Sequence, residues 1–226
     1  MSPAVLVMAK APVAGQAKTR LGAVVGAAAA AELAAACILD TLDVCQSVFT
    51  GRERLHVALA GALGSARPHQ EIADRLTRWT VHPQRGASFA SRLVNAHLDV
   101  GRAAGASVVQ IGMDTPHLTA EALRDVAERL GGVDDAVLGP AEDGGWWVLA
   151  VTRPGLARGL GGVQMSTPRT CADTLTALRS DGARVGLAAT LRDVDTVQDA
   201  TAVAQEAPHT RFGRLWTRLA STRGDT

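Results

Sequence analysis

A chain of 226 residues, 47% of them hydrophobic, is long enough to bury a substantial core in one domain covering residues 1–226. A net charge of +1, with no Lys/Arg-rich tract and no series of stacking aromatics, excludes the footprint of a nucleic-acid binder and any global pull toward an anionic membrane. Three cysteines without C-x-x-C spacing, Cys37, Cys45 and Cys171, exclude a disulfide framework or structural zinc site and suit small buried residues in a reducing cytosol. The expectation is therefore a cytoplasmic protein. Nothing reads as a signal peptide, and the apolar run Pro3–Ala9 is too short for a membrane span.

In chain order, short apolar runs alternate with helical patterns. Ala4–Ala9 reads as a first strand. Ala23–Val48 reads as one long helix, its Ala-rich stretch a helix former with Leu33, Cys37 and Leu42 on the buried face. Strand Leu55–Ala60, helix Glu71–Leu76, strand Trp79–His82, helix Phe89–Ala104 and strand Ser107–Gly112 follow. Then come helix Ala120–Leu130, strands Ala136–Gly139 and Trp146–Val151, helix Pro168–Ser180 and strand Arg184–Ala188. Two helices, Val197–Glu206 and Arg211–Ser221, close the pattern. Gly159–Gly162 reads as a flexible loop and Ser221–Thr226 as a frayed tail. Strands interleaved with helices predict an α/β fold, a mostly parallel sheet sandwiched between helices.

Four segments carry candidate chemistry. The first is Met8-Ala-Lys-Ala-Pro-Val-Ala-Gly-Gln-Ala-Lys-Thr-Arg-Leu21, a strand-loop-helix passage of the kind that binds phosphate. Gly15 permits a tight loop. Lys10, Lys18 and Arg20 bring three cations to it, and Thr19 can cap the helix or meet a phosphate oxygen. Of the 23 basic residues only Lys10 and Lys18 are lysines, which points to a need for a compact ammonium here. The passage lacks the spacing of a Walker A loop, and a solvated turn is the alternative.

In the second segment a buried strand delivers Asp114 into a turn fixed by Pro116, with His117 beside it. A carboxylate there suits Mg²⁺ or Mn²⁺ against a nucleotide diphosphate; a plain Asp-Thr-Pro turn is the alternative. In the third, Asp143-Gly-Gly-Trp146, the carboxylate can bind a sugar hydroxyl or act as a base. Gly144 and Gly145 permit close approach to a ligand, and Trp146 or Trp147 can floor a sugar or base, one of the pair facing inward and the other outward. A hairpin turn with core tryptophans explains the segment equally well. In the fourth, Asp193 and Asp195 point the same way on an extended segment, and Thr196 is placed to cap the next helix; simple capping of that helix is the stronger reading of this segment alone. The six histidines form no metal-binding spacing. G-x-S-x-G and G-x-G-x-x-G are both absent, which removes support for a serine hydrolase or a dinucleotide cofactor.

As an ordered set these segments resemble the DUF2064 family, also labelled radical-SAM/selenodomain-associated transferases, in the nucleotide-diphospho-sugar transferase superfamily. Some members are called arsenosugar biosynthesis glycosyltransferases. The resemblance spans roughly residues 4–206. It is carried by Met8-Ala-Lys-Ala-Pro12, Lys18-Thr-Arg-Leu21, Gln84-Arg-Gly86 with Arg92-Leu93, Gly112-Met-Asp-Thr-Pro116, Gly139–Gly145, Ser166-Thr167 and Asp193-Val-Asp-Thr196. Thr115, Trp146 and Met165 stand where the family usually has Cys, Tyr and Trp.

The resemblance implies a GT-A-like (Rossmann-like) fold. It implies a nucleotide or nucleotide-sugar held by Ala9, Lys10, Gly15, Lys18, Thr19 and Arg20. A small-molecule acceptor would lie near Gly144, Gly145, Trp146 and His117. Mg²⁺ or Mn²⁺ would arrive with the nucleotide onto Asp114 and Asp195, with Asp143 and Lys18 as catalytic residues. Glycosyl transfer is the reaction the family label implies. Nucleotidyl transfer is the alternative: Lys18-Thr-Arg-Leu21 also resembles the guanylyltransferases of deazaflavin cofactor assembly, and three cations suit a triphosphate. A non-catalytic nucleotide-binding module is the third reading. No nucleic acid or membrane enters any of them, and the oligomeric state is not legible.

Overall fold

The first strand, β1 (Ala4–Lys10), dictates a sheet covered on both faces. Side chains alternate along a strand. Val5, Val7 and Ala9 enter one core cluster, and Ala4, Leu6 and Met8 enter another. A strand without polar alternation belongs inside a sheet with layers above and below. The structure, a computed structural model, describes residues 2–64 and 66–224.

After β1 come α1 (Thr19–Val25), α2 (Ala27–Val48), β2 (Leu55–Ala60), α3 (Arg67–Leu76) and β3 (Thr80–Pro83). α4 (Phe89–Ala104), β4 (Val108–Ile111) and α5 (Ala120–Gly131) follow. β5 (Ala136–Pro140) and β6 (Trp146–Val151) form a hairpin. α6 (Thr170–Ser180), β7 (Val185–Leu187), α7 (Val197–Glu206) and α8 (Arg211–Gly224) complete the order. The strands join in one sheet, β3-β2-β1-β4-β6-β5-β7. β6 runs antiparallel to β4 and β5, and the other pairings are parallel. This is the α/β architecture the sequence predicts, a mostly parallel sheet between helices.

One face is covered by α2, α3 and α5, through side chains such as Ile38, Ile72 and Leu123. The other is covered by α4, α6 and a 3₁₀ segment at Pro154–Gly162, through Leu93, Leu178 and Leu160. A third cluster joins α1 and α2 to α7 and α8 around Leu21, Leu33, Phe212 and Trp216.

Three expectations about elements are corrected. The single helix over Ala23–Val48 is two helices, broken at Gly26, which sits at φ 90° and ψ 148°. Only glycine takes that conformation freely, so alanine propensity on both sides does not carry the helix across it. Gly159–Gly162 is not a free loop, because Leu160 is buried and anchors the 3₁₀ segment. The tail is helical through Gly224, and residues 225–226 lie outside the described residues.

Candidate functional site

The strand order sets where a ligand belongs. From β1 the chain moves outward to β2 and β3, and from β4 it moves outward on the other side. The crevice outside the carboxyl ends of β1 and β4 is therefore the topological switch point, where open α/β sheets bind ligands. Parallel register pairs Val7 with Ile111, so Lys10 and Asp114 each lie three residues further along their own chain. β5 runs in the same direction, and its carboxyl end opens into the Ala141–Gly145 turn that carries Asp143. After β7 the chain returns along this edge. Ala141 bridges to Leu191, and the Val194 N–H donates to the Asp114 carbonyl at 3.0 Å. Three of the four candidate segments thus meet β1 at one edge.

Lys18 is at the centre of the arrangement. Its backbone takes the left-handed conformation, φ 49° and ψ 47°. For a residue with a Cβ this costs roughly 1–2 kcal/mol. The turn aims the side chain inward, where it is only 4% exposed. The ammonium is paired with Asp114, lies 3.6 Å from Asp195, and donates to the Val194 carbonyl. Burial works against the charge, but Asp114 and Asp195 outweigh it and hold the lysine above its ordinary range. Lys18 is therefore not the solvated loop lysine of the alternative reading. Arg20 projects into solvent with one nitrogen 3.6 Å from Asp195.

Asp193, which its sequence ranks behind Asp195, also belongs to this cluster. Its carboxylate accepts a hydrogen bond from the Thr115 hydroxyl at 2.9 Å. Burial, the neighbouring Asp114 carboxylate and, more weakly, Asp143 push its pKa up from 3.8 to about 6. The available signal was the departure at Thr115, where a hydroxyl donor replaces a thiol. Asp195 and Thr196 are turned by the helix cap beside them: Thr196 caps α7, with the Asp199 carboxylate accepting from the Thr196 N–H at 2.8 Å.

The other candidates are placed less centrally. Lys10 is exposed and donates to the Gln16 carbonyl at 3.0 Å, closing its own loop. Gly15 sits in open space at φ 77°. Thr19 is exposed in the first turn of α1 and does not cap it; Lys18 occupies the cap position without a side-chain bond. Ala9 lies inside β1, its side chain in the core and its carbonyl engaged by the Gln84 amide at 2.9 Å. One Asp143 oxygen accepts from the Gly145 N–H at 2.8 Å. Gly144 serves packing: at φ 89°, a Cβ there would overlap the Pro168 carbonyl. The two tryptophans take opposite faces of the sheet, but both faces are covered, so the expectation that one points outward is corrected. Trp147 is buried in one cluster with its indole N–H on the Ala189 carbonyl, and half-buried Trp146 packs against the other. His117 is buried with Glu206, Glu142 and Arg192 as its charged neighbours, and burial lowers its pKa.

The donors that converge are carboxylates, hard oxygen ligands suited to Mg²⁺ or Mn²⁺. The Lys18 ammonium already stands as a cation between two of them. Among the described residues no group of three or more His, Cys, Asp or Glu side chains is gathered closely enough to hold a metal ion. Two carboxylates alone are too few for such an ion, which would need its remaining ligands from phosphate and water. No helix among the described residues is long and apolar enough to cross a membrane.

Comparison with known proteins agrees with this picture of the fold. Residues 41–167 match the family described as "Uncharacterized protein conserved in bacteria (DUF2064)". No curated protein matches the sequence. A protein from Desulfovibrio desulfuricans G20, named for the nucleotide-diphospho-sugar transferases, superposes with a TM-score of 0.81 at 24% identity, over 98% of this chain and 96% of that one. A cytidylyltransferase from Leptospira borgpetersenii superposes at 0.55 with 13% identity, over 100% of this chain and 94% of that one. The 2-C-methyl-D-erythritol 4-phosphate cytidylyltransferase of Thermus thermophilus gives 0.54 and 14%, over 92% and 100%. At these identities the likeness is one of fold.

Proposed function

We propose, from the premise that the chain belongs to the DUF2064 family of bacterial proteins, that it is a metal-dependent transferase acting on a nucleotide-sugar, with a small hydroxyl-bearing molecule as acceptor. The whole chain works as one domain around the carboxyl edge of its sheet. The observation that carries the reading is the buried Lys18 ammonium set between Asp114 and Asp195 at the switch point. A site built this way handles both a cation and the anionic groups that accompany one.

When bound, a divalent ion would neutralise the leaving diphosphate as a Lewis acid, with Asp114 and Asp195 as its protein ligands. Lys18 and Arg20 would hold phosphate oxygens from the α1 side. Lys10 would meet them from the end of β1. Asp143 keeps one carboxylate oxygen beyond its bond to Gly145, and that oxygen would orient and deprotonate the acceptor hydroxyl. The names of the superposing proteins, a nucleotide-diphospho-sugar transferase and cytidylyltransferases, support nucleotide chemistry in general.

A second reading, nucleotidyl transfer, is favoured by one observation: Lys10, Lys18 and Arg20 all lie on the β1–α1 passage, more positive charge than a diphosphate needs. One experiment separates the two. The protein is incubated with nucleotide-sugars or with nucleoside triphosphates, a panel of small phosphates and alcohols, and Mg²⁺ or Mn²⁺. Free nucleoside diphosphate from a nucleotide-sugar supports glycosyl transfer. Pyrophosphate from a triphosphate replaces it with nucleotidyl transfer. Neither product, together with no nucleotide-induced thermal shift, overturns both.

A further inference from the structure

Lys18 has a role beyond holding phosphate. We infer that its ammonium is a resident counter-ion that competes with the divalent cation for Asp114 and Asp195, and so makes metal binding depend on the nucleotide. The inference rests on the metal-dependent reading above and adds an order of events to it.

The argument begins with charge. Asp114 and Asp195 both lie within ion-pair reach of the Lys18 ammonium, and Asp193 is close enough to Asp114 to feel its charge, a concentration of negative charge that attracts cations. In this structure the attraction is already satisfied. Lys18 pairs with Asp114, reaches Asp195 at 3.6 Å, and spends a further proton on the Val194 carbonyl between them. The side chain is 4% exposed, so its charge is screened little by solvent. A divalent ion entering alone would have to meet a buried ammonium at close range. It would also gain only two protein ligands, too few to replace its water shell.

A bound phosphate changes both terms. It supplies oxygen ligands for the ion, and it offers the ammonium another anion. The lysine stem is long and flexible, and an ammonium makes non-directional contacts that survive a change of partner. Lys18 can turn from carboxylate to phosphate while its backbone stays fixed. The left-handed turn at Lys18 points the stem to this place: a β-branched residue would resist φ 49°, and a shorter side chain would not reach the Val194 carbonyl.

The test is Mn²⁺ binding in the absence of turnover, read from the free-ion electron paramagnetic resonance signal. Lys18→Met keeps the length of the stem and removes the charge. It should bind Mn²⁺ without nucleotide about tenfold or more tighter than the parent, as removal of one buried like charge implies. Lys18→Arg, which keeps a cation, should not show this gain. In the parent, Mn²⁺ at micromolar concentration should bind only with a nucleoside diphosphate or triphosphate present, because the competing ammonium yields to the ion alone only at far higher concentration. If the parent binds Mn²⁺ with nucleotide but Lys18→Met gains nothing without it, the counter-ion inference fails and the metal reading stands. If the parent binds no Mn²⁺ even with nucleotide, both fail.

Should Lys18→Met not fold, the parent carries the test. Lys10 and Lys18 are the only lysines, so reductive methylation read by mass spectrometry reports each separately. Lys10 should react freely and Lys18 should be protected. Millimolar Mn²⁺ without nucleotide should then raise Lys18 labelling while Lys10 stays constant. Lys18 labelling that never responds to Mn²⁺ would overturn the competition.

Discussion

At the scale of the residue, the two lysines separate into different kinds of charge. Lys10 holds its own loop in solvent, whereas Lys18 is part of a buried ion cluster. This difference changes what a mutation at Asp114 should do. Two neighbouring carboxylates read alone predict relief of repulsion when one is neutralised. With Lys18 between them, Asp114→Asn removes the main partner of a buried ammonium. Asp114 is itself 40% exposed, so the loss is discounted to about 1–2 kcal/mol. We expect a lower melting temperature for Asp114→Asn in the absence of ligand, together with loss of metal-stimulated turnover. A variant as stable as the parent and active with Mg²⁺ would remove Asp114 from both roles.

Asp193 should behave in the opposite sense. Its folded pKa of about 6 lies above the ordinary 3.8, so the folded state favours the protonated carboxyl. Above pH 6 that preference costs stability, and the cost fades as pH falls toward 4. Asp193→Asn still offers the Thr115 hydroxyl an acceptor. It should stabilise the protein at pH 7 by on the order of 1–3 kcal/mol, with no gain left near pH 4, as read by denaturant melts. A gain that persists at pH 4 would mean that the effect is not electrostatic.

At the scale of the element, the seven strands among the described residues were legible because their apolar runs are short and separated by helical periods. Ala4–Ala9 and Ala136–Gly139 can be little else. What escaped were features fixed by single glycines and by distant partners. Gly26 breaks a helix that composition alone would continue. The burial of Lys18 depends on Asp114, Asp195 and Val194, nearly a hundred residues or more away along the chain, and no local pattern shows it.

The Asp143-Gly144-Gly145 turn is the clearest case of two readings that both describe something real. It is a hairpin turn, and it also carries a carboxylate to the ligand edge. Gly144 holds it there: the Gly144 carbonyl accepts from the Cys171 N–H at 2.8 Å, and its α-carbon lies against Pro168. Gly144→Ala combines a positive φ with a backbone overlap. The expected cost is on the order of 3 kcal/mol. The damage should spread to the Ser166–Thr170 turn that it abuts, and amide exchange should rise there before it rises in β1. An unaltered exchange pattern would show that the turn tolerates the Cβ.

At the scale of the whole molecule, acid stability turns on two buried groups of opposite sign. His97 is fully buried on α4, and among the described residues neither ring nitrogen has a hydrogen-bond partner of good geometry. Burial lowers its pKa from 6.5 to about 4, with the Gln110 side chain acting weakly in the other direction. The folded state therefore favours the neutral ring. That stability is present above pH 6.5 and is lost as pH falls through 6.5 toward 4, by on the order of 3 kcal/mol. Asp193 gains stability across nearly the same window, so in the parent the two partly offset. Breaking one should expose the other. His97→Leu fills the site with a side chain that cannot be protonated, and relative to the parent it should become steadily more stable between pH 6.5 and pH 4. Asp193→Asn should lose its advantage over the same interval. The double variant should follow the sum, since one group lies under the sheet on α4 and the other at its carboxyl edge. Melts of all four proteins across this range decide the matter: parallel pH profiles for parent and His97→Leu would mean that the ring is protonated in the folded state and that the core around it is open to water.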